Sequence, residues 1–244
     1  MSQRKIGIIL QARMGSTRLP GKVLRALAGK PMIQWIIERL QTCKKVRVLI
    51  LATSTSDKDA SLVELAEKLG VMIFRGSESD VLDRYYHCAV KYHLDDIVRA
   101  TGDNPFVDPE ACDDLIEFYD REKLDYAAVS TQSEDGFPLG VGVEIFSFAA
   151  LRKSWQEGHE PDYREHVNEY ILENPILFKQ KKMAAPIGNR APGVSLTVDT
   201  IEQFEVAEKI YMSYINHHSN SMMPVSWAIN SFRRMEIPKV RRHE

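Results

Sequence analysis

The chain is poor in cysteine. Only Cys43, Cys88 and Cys112 occur in 244 residues, and no two of them are spaced as CxxC. That excludes a clustered zinc site and a disulfide framework, and leaves buried thiols in a reducing compartment. Long apolar runs are missing as well: nothing approaches the ~20 residues needed to span a bilayer. The first apolar run, Ile6–Leu10, is preceded by Arg4 and Lys5 and ended by Gln11 and Arg13, so it lacks the design of a signal peptide and the expected location is cytoplasmic. Charge of one sign is not in excess. A net charge of -2 argues against a broad nucleic-acid or membrane surface and points to small-molecule partners. No GxGxxG occurs, since Gly140-Val141-Gly142 lacks the third glycine, so a dinucleotide cofactor has no support. Nor is there a Walker A loop: the spacing from Gly15 to Gly21-Lys22 is one residue too long and Val23 stands where a Ser or Thr is required. The sequence has no internal repeat, and its tail IPKVRRHE reads as a charged, frayed end.

What is present is an ordinary globular composition, with 44% hydrophobic and 27% charged residues. The length fits one domain over residues 1–244. Aliphatic runs at Lys5–Ala12, Arg47–Thr53, Met72–Arg75, Ile97–Ala100 and Tyr126–Ser130 read as strands. Between and after them, segments of helical period cover Met32–Cys43, Leu62–Leu69, Val81–His93, Glu110–Glu122 and Ile201–Ile215. Asp57 precedes one helix, Asp80 and Asp83 line the start of another, and Asp108-Pro109 opens a third. This alternation predicts an α/β fold, a Rossmann-like, mostly parallel sheet with helices on both faces. After Ser130 the rhythm changes. A Gly/Pro-rich turn, Asp135–Gly142, leads into an apolar strand, Val143–Phe146, and residues of roughly 135–185 read as an inserted sheet edge or lobe.

Two places carry candidate chemistry. The segment Gln11–Leu24, QARMGSTRLPGKVL, directly follows the first strand, where a loop in an open α/β sheet borders the ligand crevice. Its cations Arg13, Arg18 and Lys22, its hydroxyls Ser16 and Thr17 and its glycines suit phosphate oxygens, and fixed cations help most as charge builds on a departing pyrophosphate. By charge alone the same loop also reads as a solvated basic surface. The second place is a pair of aspartates. Asp103 ends the strand Ile97–Ala100 just after a glycine, and Asp199 ends the run SLTVDT. Together they fit Mg²⁺, which takes only one or two protein carboxylates. Their bland readings are a turn former before Asn104-Pro105 and a helix cap before Ile201, the commoner role for an Asp placed like Asp199.

The stretch ARMGSTRLPGKVLRALAGKPMI closely resembles the signature of the cytidylyltransferases that activate acidic sugars, the CMP-KDO and CMP-sialic acid synthetases, in particular the spore coat polysaccharide SpsF-like branch. The resemblance extends to GSESDVLDRYYHCA, RATGDNPFVDPE, FPLGVGVEIF and REHVNEYI, from residue 5 to about 210. It implies that Arg13, Ser16, Arg18 and Lys22 bind a triphosphate, that Asp103 and Asp199 bind Mg²⁺, and that the nucleotide site takes in Ala12, Arg75 and Thr101. Arg13, Lys22 and Asp103 become the catalytic candidates. The chain departs from the KDO and sialic acid enzymes at Ala100-Thr101-Gly102-Asp103-Asn104, where they usually carry a Gln or similar residue before Gly-Asp and a Glu or Cys after it. Arg99 and Arg75 lie at strand ends, equally suited to ion pairs, and Arg164, Glu165 and His166 form the REHV motif without an assigned role. The implied reaction joins CMP from CTP to a small acidic sugar with loss of pyrophosphate. The implied assembly is a homodimer formed through the inserted segment, with Val141–Phe148 at the interface. Two rivals remain at this point: a nucleotide-sugar glycosyltransferase, which usually needs a DxD pair that is missing near Asp103, and a silent nucleotide-binding protein that binds CTP without turnover.

Overall fold

A computed structural model describes residues 4–218 and 222–235; the tail IPKVRRHE lies outside them. In chain order the elements are β1 (Ile6–Gln11), β2 (Ala26–Leu27), β3 (Lys30–Pro31), α1 (Met32–Leu40), β4 (Val48–Ser54), α2 (Ala60–Lys68), β5 (Met72–Gly76), α3 (Val81–Tyr92), β6 (Asp96–Thr101), α4 (Pro109–Glu122) and β7 (Tyr126–Val129). The second half adds β8 (Glu144–Ser147), α5 (Phe148–Glu157), α6 (Pro161–Glu165), α7 (Glu169–Glu173), β9 (Gln180–Met183), α8 (Ile201–His217) and α9 (Val225–Arg234).

Seven strands form one sheet in the order β5-β4-β1-β6-β8-β7-β9. β1 lies inside it between β4 and β6, parallel to both. Such a strand is covered on both faces, which is why β1 and β4 are nearly uninterrupted aliphatic runs rather than alternating ones. One face is closed by α1, α2 and α4, whose Ile33, Ile36, Ile37, Leu62, Leu115 and Ile116 pack on Ile8, Leu10 and Val98. The other is closed by α3, α5 and α7 through Leu82, Tyr85, Leu151 and Ile171, packed with Ile9 and Ile50. The fold is therefore the expected α/β sheet with helices on both faces. A further core joins α8 and α9 to the loops beside β6 and β7, through Phe204, Ile210, Val141, Leu196 and Val198.

Helix starts follow local chemistry. Asp80 accepts the Asp83 amide at 2.9 Å to begin α3, and Asp108 accepts the Glu110 amide at 3.1 Å ahead of Pro109 in α4. Near Asp57 the outcome differs. Ser56, not Asp57, caps a short 3-10 turn over Asp57–Asp59, and α2 follows from Ala60.

The second half departs further from expectation. β8 is not at the sheet edge: it runs antiparallel between β6 and β7, and among the strands after β7 it is β9 that forms an edge. Glu144 fastens β8 there, pairing with Arg99 at 2.6 Å and accepting from Tyr126 at 2.6 Å and Asn168 at 2.8 Å. Val141, Val143, Ile145 and Phe146 are buried in the chain's own core, so the apolar run Val141–Phe148 is not a free interface. Among the described residues no helix is long and apolar enough to cross a membrane.

Candidate active site

The C-terminal ends of β1 and β6 neighbour each other, Gln11 opposite Thr101 in the register. Beyond them the Gly102 amide still donates to the Gln11 carbonyl at 2.8 Å. A Cβ at Gly102 would come within 2.8 Å of the Ala12 Cβ, so the glycine lets the β6 tip press against the start of the N-terminal loop. That close approach brings Asp103 beside the loop.

Asp199 arrives from the other direction. The Val198 amide donates to the Asp103 carbonyl at 2.8 Å, which places the segment before α8 alongside the β6 tip. Asp199 is not the cap of α8. Thr200 is, in a capping box with Gln203, so the Asp199 carboxylate is left for other partners. Its Oδ1 receives Lys22 Nζ at 2.8 Å and Arg18 Nη2 at 3.0 Å. Lys22 is buried and also donates to the Val198 carbonyl at 2.7 Å. Gly21, at φ 67°, makes the left-handed turn that sends Lys22 inward.

The structure thus gathers Lys22, Arg18, Asp199 and Asp103, residues spread over 182 positions of sequence, at one strand end. Ala12 lies buried under the same junction, and the Thr101 hydroxyl donates to Asp103 Oδ1. Arg13 is exposed, with a 3.3 Å bond to the Glu78 carbonyl, and Ser16 accepts the Leu19 amide at 3.4 Å within the loop. Arg75 is not brought to this cluster. It sits on β5, two strands or about 10 Å from β1, and its guanidinium is engaged by the carbonyls of Ser54 at 3.0 Å and Ser56 at 2.9 Å. Arg99 is the half-buried ion-pair partner of Glu144, and Arg164 braces Asp80 at 2.6 Å, stapling α6 to the start of α3. His166 is exposed and Glu165 likewise, neither near Asp103 in the bonding network.

The sequence reading missed Asp59. This carboxylate, 1% exposed, accepts the Met14 amide at 2.8 Å, Thr53 Oγ1 at 2.8 Å and both the amide and hydroxyl of Ser54. Burial pushes its pKa up, but the bonds from Met14, Ser54 and Thr53 outweigh it and hold the carboxyl below its ordinary value. Asp59 therefore ties the end of β4 to the N-terminal loop. Its setting, TSTSDKD, carries only the mark of a turn. Gln11 Oε1 and Asn104 Oδ1, buried acceptors without a partner among the described residues at the same strand tips, were missed too.

Asp103 and Asp199 offer hard oxygen donors of the kind Mg²⁺ takes. Each has one carboxylate oxygen engaged, and Oδ2 of both accepts nothing among the described residues. No cluster of three or more His, Cys, Asp or Glu side chains suited to a metal occurs among the described residues, so a cation here would have these two carboxylates and fill the rest of its shell from elsewhere. A cavity of about 520 Å³ opens at a different place, between α1 and the far end of α8, lined by Trp35, Tyr211 and Met223. Tyr211 is ten residues into α8, about 15 Å along it from Ile201, and the cavity takes no part in this site.

The cytidylyltransferase family profile matches residues 7–223. The chain is 38% identical over 208 residues to the spore coat polysaccharide biosynthesis protein SpsF of Bacillus subtilis, covering 83% of this chain and 85% of that one. It is 31% identical over 218 residues to the 3-deoxy-manno-octulosonate cytidylyltransferase of Lawsonia intracellularis, with 83% and 79% covered. Among solved structures, a cytidylyltransferase from Leptospira borgpetersenii superposes with a TM-score of 0.84 at 31% identity, over 96% of this chain and 95% of that chain. A family profile matched over residues 7–223, with relatives and a solved structure similar over most of the length, leaves one conclusion: this chain belongs to the cytidylyltransferase family.

Proposed function

We propose that the chain is a Mg²⁺-dependent enzyme that transfers CMP from CTP to a hydroxyl of a small acidic sugar, of the nonulosonic acid or KDO kind, in surface polysaccharide or glycoconjugate biosynthesis in the cytoplasm. The observation that supports this most is the convergence of Lys22, Arg18, Asp199 and Asp103 at the β1 and β6 tips. The kinship with enzymes named for spore coat polysaccharide and for 3-deoxy-manno-octulosonate supports the acceptor class.

In this reading the acceptor oxygen attacks the α-phosphorus, the bond from that phosphorus to the bridging oxygen of the β-phosphate breaks, and pyrophosphate leaves while the hydroxyl proton passes to solvent. Arg13, Arg18 and Lys22 hold the β- and γ-phosphate oxygens and stabilise the charge that develops on the leaving group. Ser16 and the loop amides near Gly15 add donors, and Ala12 and Thr101 floor the nucleotide site. Asp103 and Asp199 hold the cation, which when bound neutralises phosphate charge and lowers the pKa of the acceptor hydroxyl. No side chain acts as a nucleophile. Arg75 enters this reading only if its bonds to the Ser54 and Ser56 carbonyls give way.

The test is pyrophosphate release with Mg²⁺, each of the four nucleoside triphosphates and a panel of acidic sugars including KDO and nonulosonic acids. Release with CTP and one sugar acid is expected. Release of a nucleoside diphosphate from a nucleoside diphosphate sugar, with no triphosphate present, would overturn the reading in favour of glycosyl transfer.

A further inference from the structure

The arrangement proposed above, on which this inference rests, contains a conflict. Lys22 and Arg18 are to hold phosphates and Asp199 is to hold a divalent cation, yet in the structure they hold one another. A single oxygen, Asp199 Oδ1, takes Lys22 Nζ at 2.8 Å and Arg18 Nη2 at 3.0 Å. A carboxylate that neutralises two cations weakens their pull on a triphosphate, and two cations crowding a carboxylate oppose the approach of a third. Lys22 adds a constraint of its own. It is 8% exposed, and a buried ammonium without a counter-ion is costly, so it needs an anion before any nucleotide arrives.

We propose that Asp199 is the resting counter-ion and positioning residue of Lys22 and Arg18, and that it releases both cations to the phosphates as its carboxylate turns to the divalent cation. The two exchanges are coupled. Nucleotide alone has to compete with Asp199 for the cations, and a divalent cation alone has to approach two like charges, whereas together each removes the other's obstacle. Linkage then requires each to raise the affinity of the other by the same factor. The local geometry suits such an exchange. The Arg18 side chain is 66% exposed, while Lys22 is held by a second acceptor, the Val198 carbonyl at 2.7 Å. Asp103 is the contrasting residue: its Oδ1 takes the Thr101 hydroxyl, and it pairs with no cation among the described residues.

The test is titration calorimetry of the full chain with CTP, in EDTA and then in Mg²⁺. In EDTA, Asp199→Asn is expected to bind CTP roughly tenfold more tightly than wild type, inside the usual range for coupled sites. Asp103→Asn, which removes the same charge from the crevice without freeing Lys22 or Arg18, is expected to gain no more than about twofold, a small part of such a coupling. Equal metal-free affinity of the two variants overturns the proposal. Because Asp199→Asn deprives a buried lysine of its partner, a second readout uses wild type: acylation of Lys22 followed by peptide mass spectrometry. Labelling is expected to change little with Mg²⁺ alone or CTP alone and to fall with both together, and labelling no lower with both than with CTP alone overturns the exchange. Failure of wild type to bind CTP under any of these conditions sinks the cytidylyltransferase reading and this inference together. Binding by wild type with indistinguishable variants sinks the exchange alone.

Discussion

Asp103 and Asp59 show how two carboxylates near one loop come to different work. Asp103 sits at a strand tip with one oxygen taken by Thr101 and one open. Asp103→Asn keeps the size and that bond, so the fold should persist while turnover falls by roughly 10²-fold or more, the usual scale for loss of a charge-stabilising group in an active site. Wild-type turnover by this variant, with an unchanged melting temperature, would remove Asp103 from the catalytic set. Asp59 is closed on all sides, and an amide in its place would turn an NH₂ toward donors from Met14, Thr53 and Ser54. Asp59→Asn is expected to cost about 1–3 kcal/mol of stability and to raise KM for CTP by loosening the loop at Met14. The effect has a sign in pH. The folded carboxyl is held below its ordinary value, so its contribution is present above about pH 4 and is lost as the pH falls through the lower folded value. The stability gap between wild type and Asp59→Asn, measured by denaturant titration, should therefore be full near neutrality and close in acid; a gap that widens in acid contradicts the assignment.

At the scale of elements, the junction of the β1 and β6 tips decides whether the site forms. Gly102 is the residue on which that junction turns, since a methyl there meets Ala12 Cβ at 2.8 Å, the Gln11 carbonyl at 3.3 Å and Ile33 at 3.4 Å. Gly102→Ala should cost about 1–3 kcal/mol through overpacking and should lower turnover beyond what that loss explains, because the shift displaces Asp103 from the loop. Melting and steady-state kinetics on the same preparation check this, and unchanged kcat with a lowered melting temperature would show the junction to be structural only. The parallel strands and the helices between them were legible because each writes a plain pattern: aliphatic runs for β1 and β4, apolar residues at three- and four-residue spacing for α1 and α3. The elements α5, α6, α7 and β9 were not. They are short or lean on long-range partners, as Arg164 does on Asp80 and Asn168 on Glu144.

For the whole molecule, the burial of Val141, Val143, Ile145 and Phe146 changes what a second copy could touch. The homodimer that the family resemblance implies would have to use surface that the chain leaves uncovered. Ile176 is 98% exposed and Ile187 85%, on the loops flanking the edge strand β9, and they are apolar candidates for that contact. Sedimentation at micromolar concentration should give twice the chain mass of 27.9 kDa. A single-chain mass overturns the dimer.

By itself the sequence determined the sheet-and-helix class and marked the loop after the first strand and the two aspartates as candidates, since these depend on periodicity and on residue type at strand ends. The tertiary structure decided the rest. It moved the cap of α8 from Asp199 to Thr200, closed Asp199 onto Lys22 and Arg18, and put Asp59 under Met14. It also set β8 inside the sheet rather than at its edge. The reason is physical: a carboxylate's role is fixed by which donors reach it, and the donors that reach Asp199 come from 177 and 181 residues away in the chain.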